Sequence, residues 1–96
     1  MILTARLGTI NFQGHKETYY NLPMKRIEAR ANEYYGLENV FAIREDGVKT
    51  YNGFVIVAAN WEVHPFGSVI ETSRGVGLVL DHTTTDKETI DIATNW

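Results

Sequence analysis

Six consecutive apolar residues, Phe54 through Ala59 in "FVIVAA", constrain the fold more than any other stretch of the chain. A strand with one wet face alternates apolar and polar side chains, whereas a run that is apolar at every position belongs to a strand covered on both faces. Asn52-Gly53 comes directly before the run and Asp46-Gly47 a few residues earlier. Both dipeptides supply positive φ at low cost and predict tight hairpin turns. "GVGLVLD", ending at Asp81, has the same look of a doubly covered strand. With few helices available to cover such strands, a compact β-barrel is the simplest way to bury both of their faces.

Only one helix is convincing. In "NLPMKRIEARANEYYG" Asn21 can cap, Pro23 suits the first turn and Gly36 can end the helix, which predicts a helix over residues 23 to 35. Met24, Ile27, Ala31 and Tyr34 recur at three- and four-residue intervals and form the expected inward stripe, leaving Lys25, Arg26, Glu28 and Glu33 for water. At the start of the chain Leu3, Ala5 and Leu7 alternate with Thr4 and Arg6, the pattern of a half-buried strand. That stretch has no small-residue cleavage pattern and does not read as a signal peptide, so action outside the cell would need another export route or a longer parent chain.

The 96 residues fit one domain, 1–96, without internal repeat or linker. A hydrophobic share of 44% and a charged share of 22% are those of a globular protein, and no stretch is long enough to insert in a membrane. The net charge of -3, with no cluster of Lys or Arg, argues against a nucleic-acid partner. No cysteine is present, so disulfides and thiolate metal sites are excluded. His64 and His82 lie in separate loops without ligand spacing, and neither a metal nor any other cofactor is expected.

The second half carries a more specific pattern. "VAANWEVHPFGSVIE", then "GVGLVLD", then "ETIDIA" occur in that order over residues 54 to 93. This resembles the three-aspartate (3D) domain family, in which a hydrophobic strand ends near Ala-x-Asp-Pro, a Pro-x-Gly turn follows, a glycine-containing strand ends in Asp, and a last strand opens with Ile-Asp. Asn60 stands at the first aspartate position, Pro65 and Gly67 at the turn, Asp81 at the second aspartate and Asp91 at the third. Trp61 replaces the usual proline, and "DHTTT" replaces Asp-Thr-Gly-Gly, putting Thr83 and Thr84 where glycines would approach a sugar closely. The resemblance implies a six-stranded double-psi β-barrel, similar to the catalytic domain of membrane-bound lytic transglycosylase A, and the leader resembles that of some bacterial and phage members.

By the same resemblance the chain is expected to cleave the bond between N-acetylmuramic acid and N-acetylglucosamine in peptidoglycan glycan strands, with the cell wall as its site of action. Such an enzyme works without water: one acid protonates the glycosidic oxygen and then, as base, takes the proton of the muramyl 6-hydroxyl, so a single carboxyl group serves both steps. The resemblance assigns that role to Asp91, with Asp81 as its neighbour and Asn60 completing the site. Trp61, His82 and Thr83, beside motif positions, are expected to contact the glycan. Trp96, Tyr19 and Tyr20 are further aromatic side chains able to stack on sugar rings. Two other outcomes stay open: a barrel that binds glycan without cleaving it, and a phage interaction protein using the barrel as scaffold. Aspartates beside threonines also commonly cap turns, the expected role of Asp86. Exposed edge strands can exchange between copies, and a homodimer is one expected assembly.

Overall fold

The computed structural model describes residues 1–36, 39–83 and 86–96. They form β1 (Ile10–Phe12), β2 (His15–Tyr20), α1 (Lys25–Tyr35), β3 (Phe41–Ile43), β4 (Lys49–Tyr51), β5 (Phe54–Ala59), β6 (Val69–Thr72), β7 (Gly75–His82) and β8 (Thr89–Ala93). The fold is mainly β with one helix, and its radius of gyration, 12.3 Å, is that of a tightly packed chain of this length.

β5 is the hub of the sheet. It pairs antiparallel with β4 and with β8, and parallel with β7. β8 continues into a second parallel pair with β2, while β1, β3 and β6 each have one neighbour. The eight-stranded sheet therefore does not close on itself among the described residues. Eight strands stand where six were expected because two tight hairpins add short outer strands. Gln13 and Gly14, both at positive φ, fold β1 back on β2, and the turn through Asp46-Gly47 folds β3 on β4.

Alternation along β5 explains its unbroken apolar sequence. Val55, Val57 and Ala59 enter one core cluster with Leu3, Val79 and Ile92, while Ile56 enters the other with Met24, Ile27 and Leu80. Both faces are covered, as "FVIVAA" predicts. Gly77 to Leu80 are likewise buried. Asn52 and Gly53, at φ of 52° and 86°, make the predicted tight turn between β4 and β5.

The helix lies over the second cluster through Met24, Ile27 and Ala31, each at most 6% exposed. Burying Ile27 contributes roughly 1.5–3 kcal/mol. Tyr34 is a correction: it is 69% exposed. By angle it continues the stripe, but it meets the turn after Pro65 instead of the sheet, with its ring edge-on to Phe66 at 5.2 Å. The expected cap is also different. Met24 occupies the capping position without a side-chain hydrogen bond, and Asn21 Oδ1 instead accepts from Lys49 Nζ at 2.9 Å. Gly36, at φ 101°, ends the helix with its N–H donated to Asn32 O.

The expected first strand from Leu3 to Leu7 does not form. Thr4 closes a turn there, its carbonyl accepting from Gly8 N–H at 3.0 Å and its hydroxyl from Leu7 N–H at 3.1 Å. Leu3 alone is buried, and Leu7 is 49% exposed. The segment is anchored by a network around Glu17, whose carboxylate is fully buried and must therefore be paired. Ser73 donates to it through both N–H and hydroxyl, at 2.8 and 2.7 Å, while the same hydroxyl accepts from Leu3 N–H.

One irregularity positions the site. Val57 faces Val79, yet Ala58 faces Asp81, so Leu80 is an extra residue with no opposite number on β5. Such a bulge shifts the alternation by one. Leu80 faces the helix side with Ile56, and Asp81, which strict alternation would send to the other cluster, lies beside Ala58 on the helix side as well.

Candidate functional site

Three register relations place two carboxylates in one row. Thr18 of β2 lies opposite Asp91 of β8, Asp91 opposite Ala58 of β5, and Ala58 opposite Asp81 of β7. Residues opposite one another across neighbouring strands share a face, so the row Thr18, Asp91, Ala58, Asp81 runs across the sheet beneath the helix side. The α-carbons of Asp81 and Asp91 are two strand spacings apart, roughly 10 Å. The residue between them is Ala58, which is buried, and Tyr20 of β2 reaches across the same face to Asp81.

Each carboxylate has a hydroxyl partner from β2. Thr18 Oγ1 donates to Asp91 Oδ1 at 2.8 Å, and Tyr20 OH donates to Asp81 Oδ2 at 3.2 Å. Asp81 Oδ1 also accepts the N–H of His82 at 2.9 Å. The two acids are thereby given different surroundings. Burial pushes the Asp91 carboxyl above its ordinary range, the Thr18 hydrogen bond pulls it partly back, and the nearby charge of Asp81 pushes it up again. Tyr20 is held well above the ordinary phenol range, first by burial, then by the charge of Asp81 and the hydrogen bond to it, and last by Asp91. It stays protonated and can only donate to Asp81.

A small cleft of about 160 Å³ gives access to Asp81 between it and the start of the helix, walled by Leu22, Pro23, Arg26, Ile27 and Arg30. Arg30 also borders a wider groove of about 540 Å³ with Glu33, Tyr34, Trp61 and Phe66. The two openings share the arginine as a common wall.

The remaining expected residues surround this row. Asn60 follows β5, and its Oδ1 accepts the N–H of Glu62 at 2.9 Å, while its carbonyl accepts from His64 N–H. Among the described residues its amide makes no hydrogen bond to either aspartate; it shapes the turn that carries Trp61. Trp61 Nε1 donates to the carbonyl of Asp81 at 2.9 Å, and its ring stands edge-on to His82 at 5.0 Å and to Phe66 at 5.8 Å. Trp61 and His82 therefore form a wall beside Asp81. Thr83 N–H donates to Ala59 O and prolongs the β5–β7 ladder by one bond. Thr84, at the second expected glycine position, lies outside the described residues.

Asp86 takes the role expected of a turn residue. One of its oxygens accepts from the N–H groups of Glu88 and Thr89 at 2.9 and 2.7 Å, which starts β8. Tyr19 and Trp96 meet in a tilted ring pair at 4.9 Å and pack on the cluster opposite the helix, away from the row. No group of three or more His, Asp or Glu side chains is placed to hold a metal ion among the described residues.

Thr18, Arg26 and Arg30 were not singled out by sequence as site residues, and Tyr20 only as a ring. Nothing local marks Thr18 or Tyr20; the parallel β2–β8 register, joining residues more than seventy positions apart, brings them in. Comparison with family models, with curated proteins and with solved structures finds no match for the chain.

Proposed function

We propose that this chain is a lytic transglycosylase-like domain acting on the bond between N-acetylmuramic acid and N-acetylglucosamine in peptidoglycan, with Asp91 as the single acid and base. The observation that carries the proposal is the row itself: a half-buried Asp91 with its carboxyl pushed upward, facing across an alanine an Asp81 that lines a cleft. The six-stranded double-psi barrel belongs to the same proposal, supported by the two parallel pairings β2–β8 and β5–β7 and set against the open eight-stranded sheet.

In this reading Asp91 gives its proton to the glycosidic oxygen as the bond to the muramyl C1 breaks. Asp81, held by Tyr20 and the His82 N–H, faces the positive charge that develops on the ring. The muramyl 6-hydroxyl attacks C1, its proton passes to the Asp91 carboxylate, and a 1,6-anhydro ring leaves with the acid restored. Atoms balance without water. A raised carboxyl suits the task because the acid must keep its proton near neutral pH and recover it at the end.

Incubating the pure protein with peptidoglycan and searching the digest by mass spectrometry for anhydro-muropeptides tests the proposal; a digest without them after prolonged incubation rejects it. One observation favours a second reading, glycan binding without cleavage: the Asn60 amide is engaged by its own turn. That reading predicts sedimentation with insoluble cell walls and no anhydro product.

A further inference from the structure

The surface beside the row holds a chain of aromatic rings that begins at the core, where Trp61 and Phe66 pack on the two clusters, and runs out to solvent. Trp61 meets Phe66 at 5.8 Å and 76°, Phe66 meets Tyr34 at 5.2 Å and 72°, and Tyr34 remains 69% exposed at the end of that chain. Rings set edge to face build the sides of a trough instead of a flat patch, and this trough is the groove of about 540 Å³. Its far wall is Arg30, whose guanidinium lies 5.8 Å from the centre of the Trp61 ring and which also borders the cleft at Asp81. Arg26 borders the same cleft. Among the described residues neither arginine has an ion pair, although Asp81 and Glu33 lie on the same openings.

We infer that the trough from Asp81 to Tyr34 binds a saccharide bearing a carboxylate substituent, with sugar rings against Trp61, Phe66 and Tyr34 and the carboxylate on Arg26 and Arg30. This rests on the proposed function, which puts the reacting bond at the Asp81 end. The ligand class follows from the walls. Aromatic faces match the C–H faces of a pyranose, while Arg30 and Glu33 offer a donor and an acceptor to its hydroxyls. A guanidinium pair without its own counter-ion favours an anion that it can grip with two parallel hydrogen bonds. A polyanion is disfavoured, because Asp81, Asp91 and Glu33 line or adjoin the same path. A peptide strand would find no free sheet edge here, since the wall is a helix.

The probe is the disaccharide of N-acetylglucosamine and N-acetylmuramic acid with its free carboxylate, compared with its methyl ester. Both are titrated into Asp91→Asn protein, which prevents turnover, while the Trp61 indole N–H is followed by NMR. The free acid should bind about tenfold more tightly than the ester, the loss expected when a charge-assisted pair is removed. Arg26→Gln combined with Arg30→Gln should erase that difference, and Tyr34→Ala should weaken both ligands together. Equal affinity for acid and ester in protein with both arginines, discrimination that survives their removal, or binding by neither ligand overturns the inference. Anhydro-muropeptide release is assayed separately on the unmodified protein. Discriminating binding without release removes the catalytic reading and leaves the trough; release without discrimination removes only the trough.

Discussion

Thr18 and Asp91 face each other across the parallel β2–β8 pair, and the threonine hydroxyl donates a 2.8 Å hydrogen bond to Asp91 Oδ1. That bond stabilises the ionised carboxylate and opposes burial and the Asp81 charge, which both favour the protonated form. The acid therefore sits between influences that can be removed one at a time.

Removing them should move the pH profile in opposite directions. Thr18→Val deletes the bond that lowers the Asp91 carboxyl, so the alkaline limb of kcat/KM, where the acid loses its proton, should move to higher pH. Asp81→Asn deletes a charge that raises it, so the same limb should move to lower pH. Initial rates across pH, with a carboxyl-carbon NMR titration of Asp91, give the measurement. Movement of both variants in the same direction would contradict the assignment.

Asp91→Asn should lower anhydro-muropeptide release on the order of 10²- to 10⁴-fold, because an amide keeps the shape and cannot transfer the proton. Its stability should behave differently. A carboxyl raised by folding contributes stability that is fully present below its unfolded value and is lost as pH rises through its folded value. An amide matches the protonated carboxyl in shape and spares the burial cost of the ionised form, so Asp91→Asn should melt no lower than the unmodified protein. A clear drop in Tm at pH 7, seen by differential scanning calorimetry, would point to a purely structural aspartate.

Asn60→Asp restores the carboxylate of the motif at little structural risk, since a carboxylate oxygen can still accept the Glu62 N–H. The variant should keep its Tm and release anhydro-muropeptides faster than the natural sequence. Unchanged release would mean that the missing charge is not what limits the site.

The helix register gives a stability test independent of function. Ile27, 6% exposed, should cost about 2–5 kcal/mol when replaced by Ala, whereas Tyr34→Ala, at 69% exposure, should stay within roughly 0.5 kcal/mol. Urea unfolding followed by circular dichroism separates the two. Similar losses at both positions would mean that Tyr34 packs more tightly than its exposure implies.

What could be read from sequence was local. "FVIVAA" declares a doubly covered strand, and Asp46-Gly47 and Asn52-Gly53 declare their turns, because each signal lies within a few residues of the structure it causes. Leu3 to Leu7 misled for a matching reason: alternation is weak evidence over five residues, and the Thr4 hydroxyl offered the backbone a turn instead. Asp81 and Asp91 were found through the motif. Their partners Thr18 and Tyr20 were not, because a parallel register between the two ends of the chain has no local signature. Arg26 falls on the solvent side of the helix, as its position outside the stripe predicts, and still walls the cleft because the cleft opens at the helix edge.

The unopposed Leu80 makes the backbone path, as much as side-chain chemistry, decide what β7 presents at the cleft. Paired without the bulge, the same residues would keep the strand hydrophobic, yet strict alternation through Leu80 would turn the Asp81 carboxylate into the hydrocarbon side of the sheet. Libraries that vary the strand's side chains while the bulge persists would thus sample altered versions of the same surface. Variants that straighten the strand with Leu80 retained would lose the acid pair at a stroke, with every residue still in place.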